Sequence, residues 1–183
     1  MSMRKECGFT LVEMLVALAV FLLIGGLAFN LLVSSIAGQR KALKDQTVVD
    51  QISFVAEYMS RAIRQAEKDL ADECLASGAD LLNYKVLAGG QTLRFLDKDK
   101  ICREFSFDSV ALAIQERRSS DQTATFGPWV ALTSNDIDVG DLRFFIQGEE
   151  QTDQKQPRVT FFIDAQGLRL QTTISQRRFD VVE

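Results

Sequence analysis

The chain has 183 residues, a formal net charge of −4 and no histidine. That length fits one ordinary domain of ~100 to 150 residues with a long appendage, and it argues against two large independent cores. Its Lys and Arg residues are interspersed with acids, which argues against direct nucleic-acid binding, and the lack of imidazole excludes Ser-His-Asp and Cys-His catalysis and every His-dependent zinc site.

The first residues are short and polar and carry Arg4 and Lys5. From Met14 to Val33 follow twenty residues without a charge, in which only Asn30 is strongly polar. A helix of that length spans ~30 Å of hydrocarbon, so this segment belongs in a membrane. The positive-inside rule keeps Arg4 and Lys5 cytoplasmic, which sends the rest of the chain outward. An ordinary secretory signal cut after Ala28, at Gly26-Leu27-Ala28, is the competing reading. The apolar run exceeds the usual ~7 to 15 residues of such a signal, and Glu13 sits where a signal holds no acid. A carboxylate deep in a bilayer costs at least ~2.5 kcal/mol, so it normally has a partner.

The run Gly8-Phe9-Thr10-Leu11-Val12-Glu13, followed by Met14-Leu15-Val16-Ala17-Leu18, resembles the type IV prepilin family. That family has a short basic leader ending in Gly, then Phe-Thr-Leu, an aliphatic residue, Glu and an apolar helix. The resemblance implies that a membrane-embedded prepilin peptidase cuts between Gly8 and Phe9 and N-methylates Phe9. It also implies that Glu13 pairs with the N-terminal amine of a neighbouring subunit during assembly. Opposite charges at contact in a low dielectric attract strongly, and desolvation cancels part of the gain, so the pair sets register more than stability. The simpler reading of Glu13 is a favourable interaction with the helix dipole, worth ~0.3 to 1 kcal/mol. Many major pilins carry a proline in this helix; here none precedes Pro128, and Gly25-Gly26 is the one weak point. Those glycines either bend or melt when the subunit leaves the bilayer, or allow close helix packing.

Beyond the span no proline interrupts the chain to Leu75, and Val48, Ile52, Val55, Met59, Ala62, Ala66 and Leu70 recur at spacings of three and four. One helix is therefore expected over residues 9–75, about 100 Å long at 1.5 Å per residue, with its transmembrane part at 14–33 and a stop at Ser77-Gly78. From residue 79 the period becomes two. Strands are expected at Thr92 to Leu96, Ile101 to Phe107, Val110 to Gln115, Trp129 to Thr133, Leu142 to Gln147, Arg158 to Asp164 and Leu168 to Gln176. Asp97-Lys98-Asp99-Lys100 and Ala165-Gln166-Gly167 suit hairpins. The expected fold is α+β: a leader at 1–8, the long helix, and a strand-rich head at 79–183 with one antiparallel sheet against the helix.

Alternation puts Leu142, Phe144 and Ile146 on one face with Val159, Phe161 and Ile163, and turns Phe145 and Phe162 to the other. That second pair is either a subunit contact or covered by the loop from Ser119 to Pro128. Cys74 and Cys102 are candidates for one disulfide if the head lies outside the cytoplasm, although strand parity sets Cys102 with Glu104 and Ser106, away from the helix. The loop from Ser134 to Asp141 carries oxygen ligands and a glycine but lacks the spacing and terminal Glu of a calcium loop, so a solvated acidic loop is expected, and no metal.

The function expected from these features is a structural subunit of a type IV pilus or pilus-like secretion filament, a minor pilin or pseudopilin that aids initiation or tip assembly. The resemblance implies the partners: other pilin or pseudopilin subunits through the helix, prepilin peptidase, a membrane assembly platform, and the bilayer before assembly. The protein would be single-pass in the inner or cytoplasmic membrane, with its head extracytoplasmic, and then part of a periplasmic or surface filament. No cofactor and no enzymatic activity are expected, since there is no nucleophile motif or glycine-rich phosphate loop. The alternative is a membrane-tethered extracytoplasmic ligand-binding module, which would not require the motif from Gly8 to Glu13.

Overall fold

The computed structural model describes residues 10–76, 78, 82–148 and 155–176. In chain order its elements are helix α1 (Leu11–Arg64), strand β1 (Tyr84–Leu87), a one-turn 3-10 helix (Ala88–Gly90), β2 (Thr92–Leu96), β3 (Cys102–Asp108), β4 (Ala113–Arg118), β5 (Val130–Ala131), β6 (Val139–Gln147), β7 (Arg158–Ala165) and β8 (Leu168–Ser175). The chain divides into two compact units, Met1–Gln46 and Thr47–Glu183.

In the first unit Thr10 caps α1: its Oγ1 accepts the N–H of Glu13 at 3.3 Å and its carbonyl accepts that of Met14 at 3.2 Å. These bonds satisfy donors that an α-helix leaves unpaired in its first turn. Every residue described in this unit is exposed, including the apolar side chains from Leu11 to Ile36. The helix is long and apolar enough to cross a membrane.

The second unit holds the core. The later part of α1 buries Val48, Ile52, Val55, Ala56, Met59, Ala62 and Ile63, the expected stripe at spacings of three and four. These pack with Tyr84, Leu93, Phe95, Phe105 and Ile114 from the first strands and with Leu142, Phe144, Val159, Phe161 and Ile163 from the last. Burial of each large side chain contributes ~1.5 to 3 kcal/mol.

The single sheet expected is in fact two antiparallel sheets, β1 to β5 in sequential order and β6-β7-β8. The chain leaves the first sheet after Ala131 and runs back along β4, where Leu132 N–H donates to the Ile114 carbonyl. Val139 N–H then bonds the Leu112 carbonyl, and β6 opens with an irregularity between Val139 and Asp141. The alternation expected in β6 and β7 holds. Leu142, Phe144, Val159, Phe161 and Ile163 are buried, Ile146 is half-buried, and Phe145 and Phe162 are exposed.

The helix ends at Arg64, not near Leu75. Tertiary partners take carbonyls at its end and just past it: Tyr84 Oη donates to Ile63 O at 2.7 Å and Gln176 Nε2 donates to Ala66 O at 2.8 Å. Glu67 N–H bonds the Leu96 carbonyl at 2.8 Å, which fixes the chain against β2 instead of in another helical turn. Leu70, read as part of the apolar stripe, is exposed. The stop placed at Ser77-Gly78 falls partly outside the described residues, because Ser77 is not among them.

Two strands also differ from expectation. β1 was not foreseen. β4 starts at Ala113, because Asp108 Oδ1 accepts the N–H groups of Val110 and Ala111 and closes a turn that leaves Val110 exposed. β4 continues instead through Glu116, Arg117 and Arg118: Glu116 pairs with Arg103 and Arg117 with Glu104 across on β3, while Arg118 pairs with Glu116 of its own strand.

Candidate assembly site and its supporting head

Residues of the candidate site reside on the first turn of α1 and just ahead of it. Glu13 occupies the third helical position after the Thr10 cap, where a carboxylate faces the positive end of the helix dipole. Among the described residues no side chain pairs with its carboxylate. The apolar residues that follow, from Met14 to Val33, are exposed. The helix runs unbroken through Gly25 and Gly26, and a Cβ at either would meet nothing within 4 Å. Gly8 and Phe9, the expected cleavage and methylation residues, lie outside the described residues. Sequence reasoning missed the Thr10 cap, although Thr-x-x-Glu before an apolar run is a recognisable helix-start signal.

In the head, Cys74 and Cys102 are joined, with Cα atoms 5.5 Å apart. Strand parity does put Cys102 on the sheet face away from α1. The chain after Arg64 crosses to that same face and builds a second small core from Cys74, Leu75, Leu96 and Cys102, with Leu82 and Phe126 packed against it. Asp69 shapes this segment: it is buried, and its Oδ2 accepts the N–H groups of Cys74 at 2.9 Å and Leu75 at 2.8 Å.

On the same outer face, buried Glu104 accepts Arg94 Nε at 2.6 Å and Arg117 Nε at 2.5 Å. Phe126 lies over both guanidiniums, and Trp129 stacks on Arg117 at 4.3 Å. The loop from Ser119 to Pro128 thus folds over the first sheet and leaves Phe145 and Phe162 uncovered. Those two rings meet edge to face with centroids 5.5 Å apart, and they stay exposed.

Toward α1 a second charged group closes the sheet. Arg103 donates to Glu116 Oε1 at 2.5 Å and to Tyr58 Oη at 2.9 Å, Tyr58 donates to Glu116 Oε2 at 2.7 Å, and Arg118 contacts both. Burial opposes ionisation of Glu116, but hydrogen bonds from Arg118, the Arg103 charge and the Tyr58 hydroxyl outweigh it and hold the carboxyl below the usual carboxylate range. Burial, aided by the hydrogen bond to Glu116, pushes the Tyr58 phenol up. These groups are paired with one another and anchor the helix to the sheet. In the loop after β5, Ile137 is buried, and the described residues hold no group of three or more His, Cys, Asp or Glu suited to a metal ion.

The head is an α+β scaffold carried on one exposed, membrane-length apolar helix, the layout of a single-pass, membrane-anchored protein. The family model described as prokaryotic N-terminal methylation motif matches residues 3–29. Together with the long apolar helix, that match makes the chain a type IV prepilin-like protein. No curated protein and no solved structure matches the chain.

Proposed function

We propose that the protein is a minor structural subunit of a type IV pilus or pilus-like secretion filament and not an enzyme. Prepilin peptidase cuts between Gly8 and Phe9 and N-methylates Phe9, so that Glu13 becomes the fifth residue of the mature chain. The observation that carries this reading is the state of Glu13: a carboxylate at the head of an exposed apolar helix, with no partner among the described residues. In a bilayer that group costs at least ~2.5 kcal/mol if it lies deep, and a neighbouring subunit's N-terminal amine offsets this by direct charge pairing. Exposed apolar flanks of adjacent helices then cover each other once subunits leave the lipid.

Arg4 and Lys5 hold the leader in the cytoplasm, so the head lies outside it, in a compartment where a Cys74–Cys102 bond persists. The large strand-rich head and the proline-free helix favour a minor over a major subunit. Other pilin-type subunits, the peptidase and a membrane assembly platform are the partners this role requires.

The test is a Glu13→Val variant expressed in place of the wild type, with filaments sheared from the cells. The variant is expected to be processed normally and to be poorly incorporated. Incorporation equal to wild type would remove Glu13 from assembly and with it the central support of this role.

A further inference from the structure

Among the described residues four strands border the two sheets, and three of those edges are blunted. β5 has two residues, β1 has four, and β6 starts with a register irregularity. Short length and irregular register are the ordinary means by which a sheet avoids pairing with another chain. β8 has none of them: it runs eight residues, Leu168–Ser175, without proline, glycine, lysine or irregularity.

Which backbone groups of β8 face outward follows from one bond. Gln176 N–H donates to the Pro157 carbonyl at 3.3 Å, so residues 157 and 176 form a hydrogen-bonded pair of the β7–β8 ladder. Pairs alternate along an antiparallel ladder, so 159/174, 161/172 and 163/170 are hydrogen-bonded while 158/175, 160/173, 162/171 and 164/169 are not. The Thr160 and Thr173 hydroxyls, 2.9 Å apart, agree with the closer spacing of a non-hydrogen-bonded pair. The N–H and C=O groups of Arg169, Gln171, Thr173 and Ser175 therefore point away from β7. All four residues are exposed, and among the described residues nothing bonds these backbone groups.

We propose that β8 is a pairing edge for β8 of a second copy of this chain, antiparallel and two-fold symmetric. The strand is self-complementary. With the two-fold axis at Thr172, Arg169 faces Ser175, Leu170 faces Ile174 and Gln171 faces Thr173, so outward-facing backbone groups meet outward-facing groups. Arg169 is the strand's one charged residue and is already paired with Asp164, so no like charges oppose each other. With the axis at Gln171 the same holds, Arg169 facing Thr173. The pairing also covers Leu168 and Leu170, which flank the core and are half-buried at its open rim. A partner of other chemistry would have to supply this alternation of apolar and polar residues, and β8 itself supplies it.

The full chain in detergent micelles, in a Cys7→Ser background, provides the test. Thr172→Cys and Gln171→Cys report the two axis positions, since residues on the axis meet their own copies within the ~4.4 to 6.8 Å Cα range of a disulfide. One of the two is expected to form a covalent dimer under mild oxidation. Adding Thr173→Pro removes an outward N–H and leaves the β7 ladder intact, because edge strands tolerate proline where the N–H faces solvent. It is expected to lower the cross-linking yield roughly tenfold, since two hydrogen bonds are lost by symmetry. Thr173→Lys serves as a second edge-blocking variant if the proline variant loses its native circular dichroism. Failure of both cysteines to cross-link copies, capture of a different protein only, or yields unchanged by both edge variants would overturn the proposal.

Discussion

The bond between Cys74 and Cys102 closes a loop with a sequence separation of 28. On the chain-entropy account, a loop of that length lowers the entropy of the unfolded chain enough to stabilise the fold by ~3.5 kcal/mol. Both cysteines are fully buried in the small core on the outer sheet face, so their replacement by alanine leaves two small voids as well. The Cys74→Ala/Cys102→Ala variant is therefore expected to lose ~3.5 to 4.5 kcal/mol of unfolding free energy. The assay is urea unfolding of the full chain in detergent, followed by Trp129 fluorescence because that ring stacks on Arg117 in the same sheet. Reduction of the wild type should give most of the same loss, since it opens the loop without creating voids. A loss below ~1 kcal/mol in both experiments would refute the reasoning, because the loop term alone exceeds that.

Glu116→Ala should cost ~3 kcal/mol in the same unfolding assay: it strips the main acceptor from largely buried Arg103, and Asp97, 3.5 Å away, replaces only part of it. Glu116 also sets a pH dependence. Its folded pKa is depressed, so the unfolded chain binds the proton more readily; its contribution is fully present above the ordinary value of about 4.3 and is lost as pH falls through the folded pKa. Unfolding midpoints measured from about pH 6 downward should start to drop below about 4.3, the ordinary glutamate value, and Glu116→Gln should flatten that part of the slope. Adjacent phenylalanines in β7 offer a parity check by thermal unfolding: Phe161→Ala should cost ~3 to 5 kcal/mol, whereas exposed Phe162→Ala should cost ~1 kcal/mol, mainly from its edge-to-face contact with Phe145.

The prepilin-like start of the chain was legible because its signals are local. Charge, apolar length and the spacing from Gly8 to Glu13 are all properties of consecutive residues. Parity along β6 and β7 was legible for the same reason, and it placed Phe144 inward and Phe145 outward. The helix end was not, since nothing between Gln65 and Leu75 forbids a helix; Tyr84, Leu96 and Gln176 end it from elsewhere in the chain. The same blindness affected the cysteines. Parity correctly turned Cys102 away from α1, but it said nothing of a post-helix segment, held by Asp69, that crosses to meet it. The division into two sheets likewise depends on where the chain turns back after Ala131, a tertiary event with no local mark. The strand expected to end at Gln115 runs on through Arg118 because the charges of Glu116, Arg117 and Arg118 find partners in Arg103, Glu104 and Tyr58, which lie elsewhere in the sequence.

Processing at the N-terminus tests the prepilin account most directly. Intact-mass and N-terminal peptide analysis of the protein purified from its native membrane is predicted to give a mature chain that begins at Phe9 and carries one N-methyl group. A chain cut after Ala28, or one that still carries residues 1–8, would contradict it.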